Sequence, residues 1–161
     1  MAIHYTENYA GGDLQEFEYD KTLPLLVPEN QRNAKRGDPV VFNEDTGFVG
    51  LLVTEIRPAE EATYTRATVY GRPTYGLNVA EGYASVRVRG GVFKLDVELD
   101  GAAGVGDPVY VKAASVSGDT PAKLTASATA ADAIFGVVVA PSVAITGTEK
   151  LKVLLKPAPI A

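Results

Sequence analysis

SVRVRGGVFKLDVELDG, residues 85–101, decides the fold class of this chain. Phe93, Leu95, Val97 and Leu99 alternate with Lys94, Asp96 and Glu98, which is the period of a half-buried strand and not of a helix. Upstream, Val86 and Val88 alternate with Arg87 and Arg89. Gly90 and Gly91 accept the positive φ angles of a two-residue turn, so the stretch predicts a hairpin. In that register Arg89 pairs with Val92, Val88 faces Phe93 and Val86 faces Leu95, which puts the apolar partners on one face. The other face collects Arg87, Lys94, Asp96 and Glu98, with Arg87 in diagonal reach of Asp96.

Outward from this stretch the same rhythm continues. Phe48 to Ile56 (FVGLLVTEI) is apolar on both faces for most of its length, as a strand buried in a barrel or sandwich should be. Ala62 to Tyr70 (ATYTRATVY) is β-branched and aromatic, with Tyr64, Arg66, Thr68 and Tyr70 on a face that reads as wet or as an interface. Ile134 to Ala140 and Leu151 to Lys156 read as two more strands, the last stopped by Pro157 and Pro159. Ala126 to Ala133 has no apolar stripe, and its Ser, Thr and Asp compete with a helical backbone, so it reads as a loop or a single turn. GDPVVF at 37–42 leads to FVGLLV at 48–53, and GDPVYV at 106–111 leads after a longer insertion to FGVVVA at 135–140. The unequal spacing makes this a turn-then-strand device used twice and not a solenoid repeat. Gly permits the turn, Asp accepts from backbone donors near it, and Pro fixes φ at the strand entry.

Sixteen Gly and ten Pro, scattered through 161 residues, punctuate these strands as in an all-β domain. The absence of Cys excludes disulfides, thiolate metal sites and cysteine nucleophiles, so stability must come from the core or from self-association. With 15 basic against 20 acidic residues, a sequence-independent grip on nucleic acid is not expected. MAIHYTENYAGGDLQEFEYD, residues 1–20, has neither the positive start nor the apolar run of a signal peptide, and no membrane-spanning stretch is seen. The expectation is a soluble protein made in the cytoplasm, with no cofactor, no nucleic-acid partner and no membrane partner.

Catalytic chemistry finds few carriers. His4 is the single histidine, and without Cys a zinc site would need it plus carboxylates. No GxSxG elbow is present, and no base for a Ser-His-Asp arrangement exists unless His4 serves. Asp96, Glu98 and Asp100 alternate along one strand face, where they either converge on a hard cation such as calcium or form a solvated face balanced by Arg87 and Lys94; the second is expected. Asn43-Glu44-Asp45 lacks the ligand spacing of an EF-hand and reads as a turn. Arg36-Gly37-Asp38 spells an adhesion tripeptide but belongs to the first GDP turn. GGDLQ at 11–15 is not followed by GK[ST], and Gly101 to Gly106 leads into Asp107-Pro108 and not into a helix, so neither is a nucleotide loop.

The order GDPVVF, GFVGLLV, VRGGVFKLDVE, GDPVYV, an Ala/Thr-rich loop, FGVVVA and a closing KLKVLLKP resembles the capsid decoration (cement) proteins of tailed phages. The resemblance covers roughly residues 22 to 157. It implies a compact β-barrel, often trimeric, that sits on the outer capsid surface and clamps neighbouring major capsid protein subunits. No catalytic residue comes with it. The segment 57–82 and the N-terminal arm depart from the shorter members.

The resulting expectation is an all-β, single-domain barrel or sandwich of about eight to eleven short strands over residues 23–157, with an extended arm at 1–22 and a tail at 158–161. The expected partners are the major capsid protein and the chain itself as a homotrimer, on the virion surface. Tyr5, Tyr9, Phe17 and Tyr19, aromatics among polar and acidic neighbours, are the expected capsid contacts; the same residues also suit an N-terminal strand packed on its own barrel. One rival is a receptor- or carbohydrate-binding module of a phage fibre using Tyr64, Tyr70, Tyr75 and Tyr83. A small trimeric β hydrolase with its site between subunits is the other.

Overall fold

The strand entries behave as their residues dictate. In the computed structural model, which describes residues 21–58, 68–69, 72–73, 81–143 and 145–160, each GDP phrase forms a turn and then a strand. The strands are β1 (Thr22–Leu26), β2 (Pro39–Asn43), β3 (Phe48–Leu52), β4 (Thr68–Val69), β5 (Arg72–Pro73), β6 (Tyr83–Arg87), β7 (Val92–Asp100), β8 (Pro108–Lys112), β9 (Lys123–Thr125), β10 (Ala133–Val138) and β11 (Thr146–Pro159). A single 3-10 turn at Glu29–Gln31 is the only helical element among the described residues. Residues 126–132, between β9 and β10, hold only a bend and a turn, as their composition predicts.

The architecture is a closed barrel, β10-β11-β7-β9-β8, beside a four-stranded sheet, β1-β6-β3-β2. Among the described residues β4 and β5 pair only with each other. The expected hairpin at Gly90-Gly91 does not form. β6 pairs with β1 and β3, and β7 with β11 and β9, so the two glycines carry the chain from the sheet into the barrel. Their positive φ angles, 71° and 89°, are used, but their backbone partner is Leu155: Gly90 N–H donates to Leu155 O, and Leu155 N–H donates to Gly91 O, both at 3.0 Å. The alternation along β7 is as read, with Leu95, Val97 and Leu99 buried and Lys94, Asp96 and Glu98 exposed. Without β6–β7 pairing the Arg87–Asp96 contact is absent. Arg87 Nε instead donates to the carbonyls of Arg89 and Gly90, and Asp96 Oδ1 lies 3.0 Å from Lys150 Nζ.

Pro157 and Pro159 do not stop the last strand. β11 continues to Pro159, with Ala158 opposite Ile134 and Leu155 opposite Gly136. β11 thus takes three steps where β10 takes two, and the extra residue forms a bulge at which Pro157 is tolerated because a bulge leaves one residue unpaired. Residues 158 and 159 therefore belong to the barrel and not to a tail.

The echo between the two halves is deeper than two turns. The sheet order β1-β6-β3-β2 and the barrel order β7-β11-β10-β8 place first, fourth, third and second strands of a unit alike. The bonds match as well. Gly37 N–H donates to Leu52 O, and Gly106 N–H to Val138 O; Leu52 N–H donates to Asp38 O, and Val138 N–H to Asp107 O. Asp38 Oδ2 accepts from Lys35 N–H, and Asp107 Oδ2 from Gly104 N–H. Val53 N–H donates to Ser85 O, and Val139 N–H to Lys152 O; Val88 N–H donates to Lys21 O, as Leu155 does to Gly91. Val27, Val40, Leu52 and Val86 of the first unit correspond by these bonds and registers to Val97, Val109, Val138 and Val153 of the second, and all eight are buried.

The units differ in how they close. In the second, β9 lies parallel to β7 and antiparallel to β8, with Thr125 opposite Tyr110. In the first, the residue matching Tyr110 is Val41, and its backbone is held by a side chain: Gln31 Nε2 donates to Val41 O at 2.6 Å, and Val41 N–H donates to Gln31 Oε1 at 2.9 Å. Gln31 is 5 % exposed. A primary carboxamide presents the donor and acceptor of one peptide unit, so Gln31 does here what a neighbouring strand does in the barrel.

The units pack directly. Val41, Val49 and Leu51, on one face of the first sheet, join the barrel core around Phe135, while Val40 and Leu52 on the other face belong to a smaller core with Val27 and Val86. β3 is therefore buried on both sides, as FVGLLV predicts. Gly47, in the β2–β3 turn, lies so close to the Ala158–Pro159 backbone that any side chain would overlap it. In the same turn a hydrogen bond with Asp132, and the charge of that carboxylate, raise the Glu44 carboxyl above its ordinary value.

Two outcomes follow from these contacts. Gln31→Leu leaves the Val41 N–H and C=O without partners in a dry site, and is expected to cost about 2–4 kcal/mol in urea unfolding and to speed hydrogen exchange at the Val41 amide. Folded Glu44 holds its proton more tightly than unfolded Glu44, so its contribution to stability is present below the unfolded value and lost as pH rises through the raised folded one. Glu44→Gln removes the repulsion with Asp132, and should melt above wild type at neutral pH and level with it near about pH 3.

Candidate functional site

Tyr83 opens β6 and is half-buried, because β6 alternates inward Ala84 and Val86 with side chains directed away from the smaller core. It lines an open cleft of ≈ 320 Å³ with Pro24, Thr54, Glu55, Arg57, Ala84 and Ser85. The cleft exists because the chain leaving β3 stays beside β6: Ser85 N–H donates to Thr54 Oγ1, Arg57 N–H to Tyr83 O, and Gly82 N–H to Arg57 O. A ring, a carboxylate and a guanidinium so grouped offer stacking and hydrogen bonding to a polar ligand. Tyr83 is the one member of the expected sugar-stacking set in the described residues; Tyr64, Tyr70 and Tyr75 lie outside them. Sequence reasoning missed Glu55 and Arg57, whose approach to Tyr83 depends on a chain excursion between β3 and β6.

Tyr5, Tyr9, Phe17 and Tyr19, the expected capsid contacts, lie outside the described residues, as do His4 and the 11–15 glycines. Asp96, Glu98 and Asp100 do project from the outer side of β7, but Asp96 is paired with Lys150. Asp96 and Glu98 border a second open cleft of ≈ 390 Å³, together with Asp38, Lys123 and Thr148. Among the described residues no group of three His, Asp or Glu side chains is placed to hold a metal ion.

Asn43-Glu44-Asp45 is a turn, as read: Asn43 Oδ1 accepts from Asp45 N–H at 2.9 Å and from Thr46 N–H at 3.3 Å. The adhesion tripeptide is likewise absorbed by its turn. Gly37 has φ 94°, and the Asp38 carboxylate folds back onto Lys35 N–H, so it does not stand out beside Arg36 as a ligand carboxylate would. Gly101 to Gly106 leads into β8 and not into a helix.

Exposed apolar side chains gather where the β7–β8 and β10–β11 loops meet. Ser142 N–H donates to Ala103 O there, and Val105 (66 %), Val143 (90 %) and Ile145 (73 %) stand in solvent around it. No described helix is long and apolar enough to cross a membrane. Comparison with known proteins finds no matching family model, no matching curated protein and no matching solved structure.

Proposed function

We propose that this chain is a structural virion protein, non-catalytic, that binds the outer surface of a phage capsid and stabilises contacts between major capsid protein subunits. The observation that carries the proposal is the ordered set of turn-and-strand phrases from GDPVVF to KLKVLLKP, which resembles the order in decoration proteins. Its physical support is a small barrel plugged by a second sheet of the same design, which makes a rigid body from modest chain length. Rigidity matters for a cement protein because contacts repeated by symmetry add up only if each copy docks without reordering. A homotrimer is the proposed form. Tyr5, Tyr9, Phe17 and Tyr19 are proposed as anchors on the capsid, since aromatic side chains concentrate binding energy in few residues. The cleft at Tyr83, Glu55 and Arg57 favours one other reading, a glycan- or receptor-binding module of a fibre.

Co-sedimentation of the purified protein with mature heads that lack it tests the first reading. Saturable binding and a raised disruption temperature of the decorated heads are expected. Deleting residues 1–20 should weaken head binding by about tenfold or more while leaving the melting temperature of the purified protein unchanged. Absence of head binding, with a glycan array positive at micromolar affinity that Tyr83→Ala abolishes, would instead establish the fibre module.

A further inference from the structure

We infer that the outer face of β7, β11 and β10 around Lys94, Lys152 and Leu154 is the rigid part of the docking surface, and that it fits a protein surface bearing carboxylates around an apolar centre. The inference rests on the capsid-binding proposal and names the face that meets the shell. Lys94 and Lys152 are direct cross-strand partners and both are exposed. Like charges directly opposite one another on a sheet repel, and no carboxylate forms an ion pair with either lysine among the described residues. Two residue pairs further along the same two strands, by contrast, Lys150 meets Asp96 at 3.0 Å. In a chain with formal net charge −5, this uncompensated pair is a local excess of positive charge set in place by the β7–β11 register.

Beside the lysines runs an apolar row. Val92 lies opposite Leu154, and Leu154 opposite Val137. Val92 is 54 % exposed, and the other two are half-buried and do not pack on the barrel core. The matching row in the first unit runs through Thr22, Arg87 and Leu51, and there Leu51 is covered by the barrel and is 3 % exposed. Among the described residues no third unit covers the row of the second.

The test compares head binding of the wild-type protein, of Lys94→Glu/Lys152→Glu, and of Lys112→Glu/Lys123→Glu. The last two lysines sit opposite one another on β8 and β9, the strands of the barrel that do not adjoin β11, and give the same change of charge. The first variant should lose about tenfold or more in affinity, the second less than about twofold, and wild-type binding should weaken with added salt. Melting temperature and sedimentation of the purified variants should match wild type. Undiminished head binding by Lys94→Glu/Lys152→Glu would overturn the assignment of this face and leave the capsid proposal standing. No head binding by the wild type would overturn the capsid proposal, and this face with it. A first variant that melts lower or changes oligomeric state while binding heads normally would show the face to be occupied by the chain's own acidic N-terminal segment or by a second copy, and would equally overturn the inference.

Discussion

A β-strand at the edge of a sheet carries backbone donors and acceptors that must find partners, and each half of this chain is organised by how it meets that demand. The second unit meets it with backbone: β9 bridges β7 and β8 and closes a barrel, which abolishes the edge. Among the described residues the first unit has no such strand, and it meets the demand with the Gln31 side chain. With its edge held by one residue, the first sheet stays open, and both its faces become available for burial. One takes its own small core; the other plugs the barrel through Val41, Val49 and Leu51.

The same demand explains how much was legible beforehand. Alternation along Val92–Asp100 and the two-sided apolarity of Phe48–Leu52 are local consequences of burial, and they read correctly. Pairing is not local. SVRVRGGVFKLDVELDG carries every short-range sign of a hairpin, but Gly90 and Gly91 bond to Leu155, more than sixty residues away, and that preference is invisible within the seventeen-residue phrase. Pro157 was misread for a related reason: its tolerance depends on a bulge created by the mismatch between β10 and β11. The duplication showed in sequence as the GDP phrases and the apolar strands FVGLLV and FGVVVA that follow them. Matched strands sit at unequal separations because the first unit expands between β3 and β6 while the second expands between β8 and β10.

The surfaces divide in the same way. The turn character of Asn43-Glu44-Asp45 was written in residue type, and its Asx geometry bears this out. The lysine pair on β7 and β11, and the company Tyr83 keeps, depend on which strands become neighbours, so no spacing rule along the chain could find them. For a body proposed to work by docking, this is the relevant level of description: cross-strand register, more than any motif, determines where charge accumulates and where apolar surface stays open.

The position of the last strand in each unit has a consequence for how the molecule is made. β6 inserts between β1 and β3, and β11 between β7 and β10, so in both cases the strand synthesised last becomes an interior member of its sheet. Neither unit can complete its hydrogen-bond network until that strand has left the ribosome, and until then its earlier strands wait with unsatisfied edges. Two such delayed closures in succession make for slow, non-local folding, and the first unit cannot plug a barrel that does not yet exist. Nascent chains are most exposed to mispairing with one another in the interval before Thr146–Pro159 arrives.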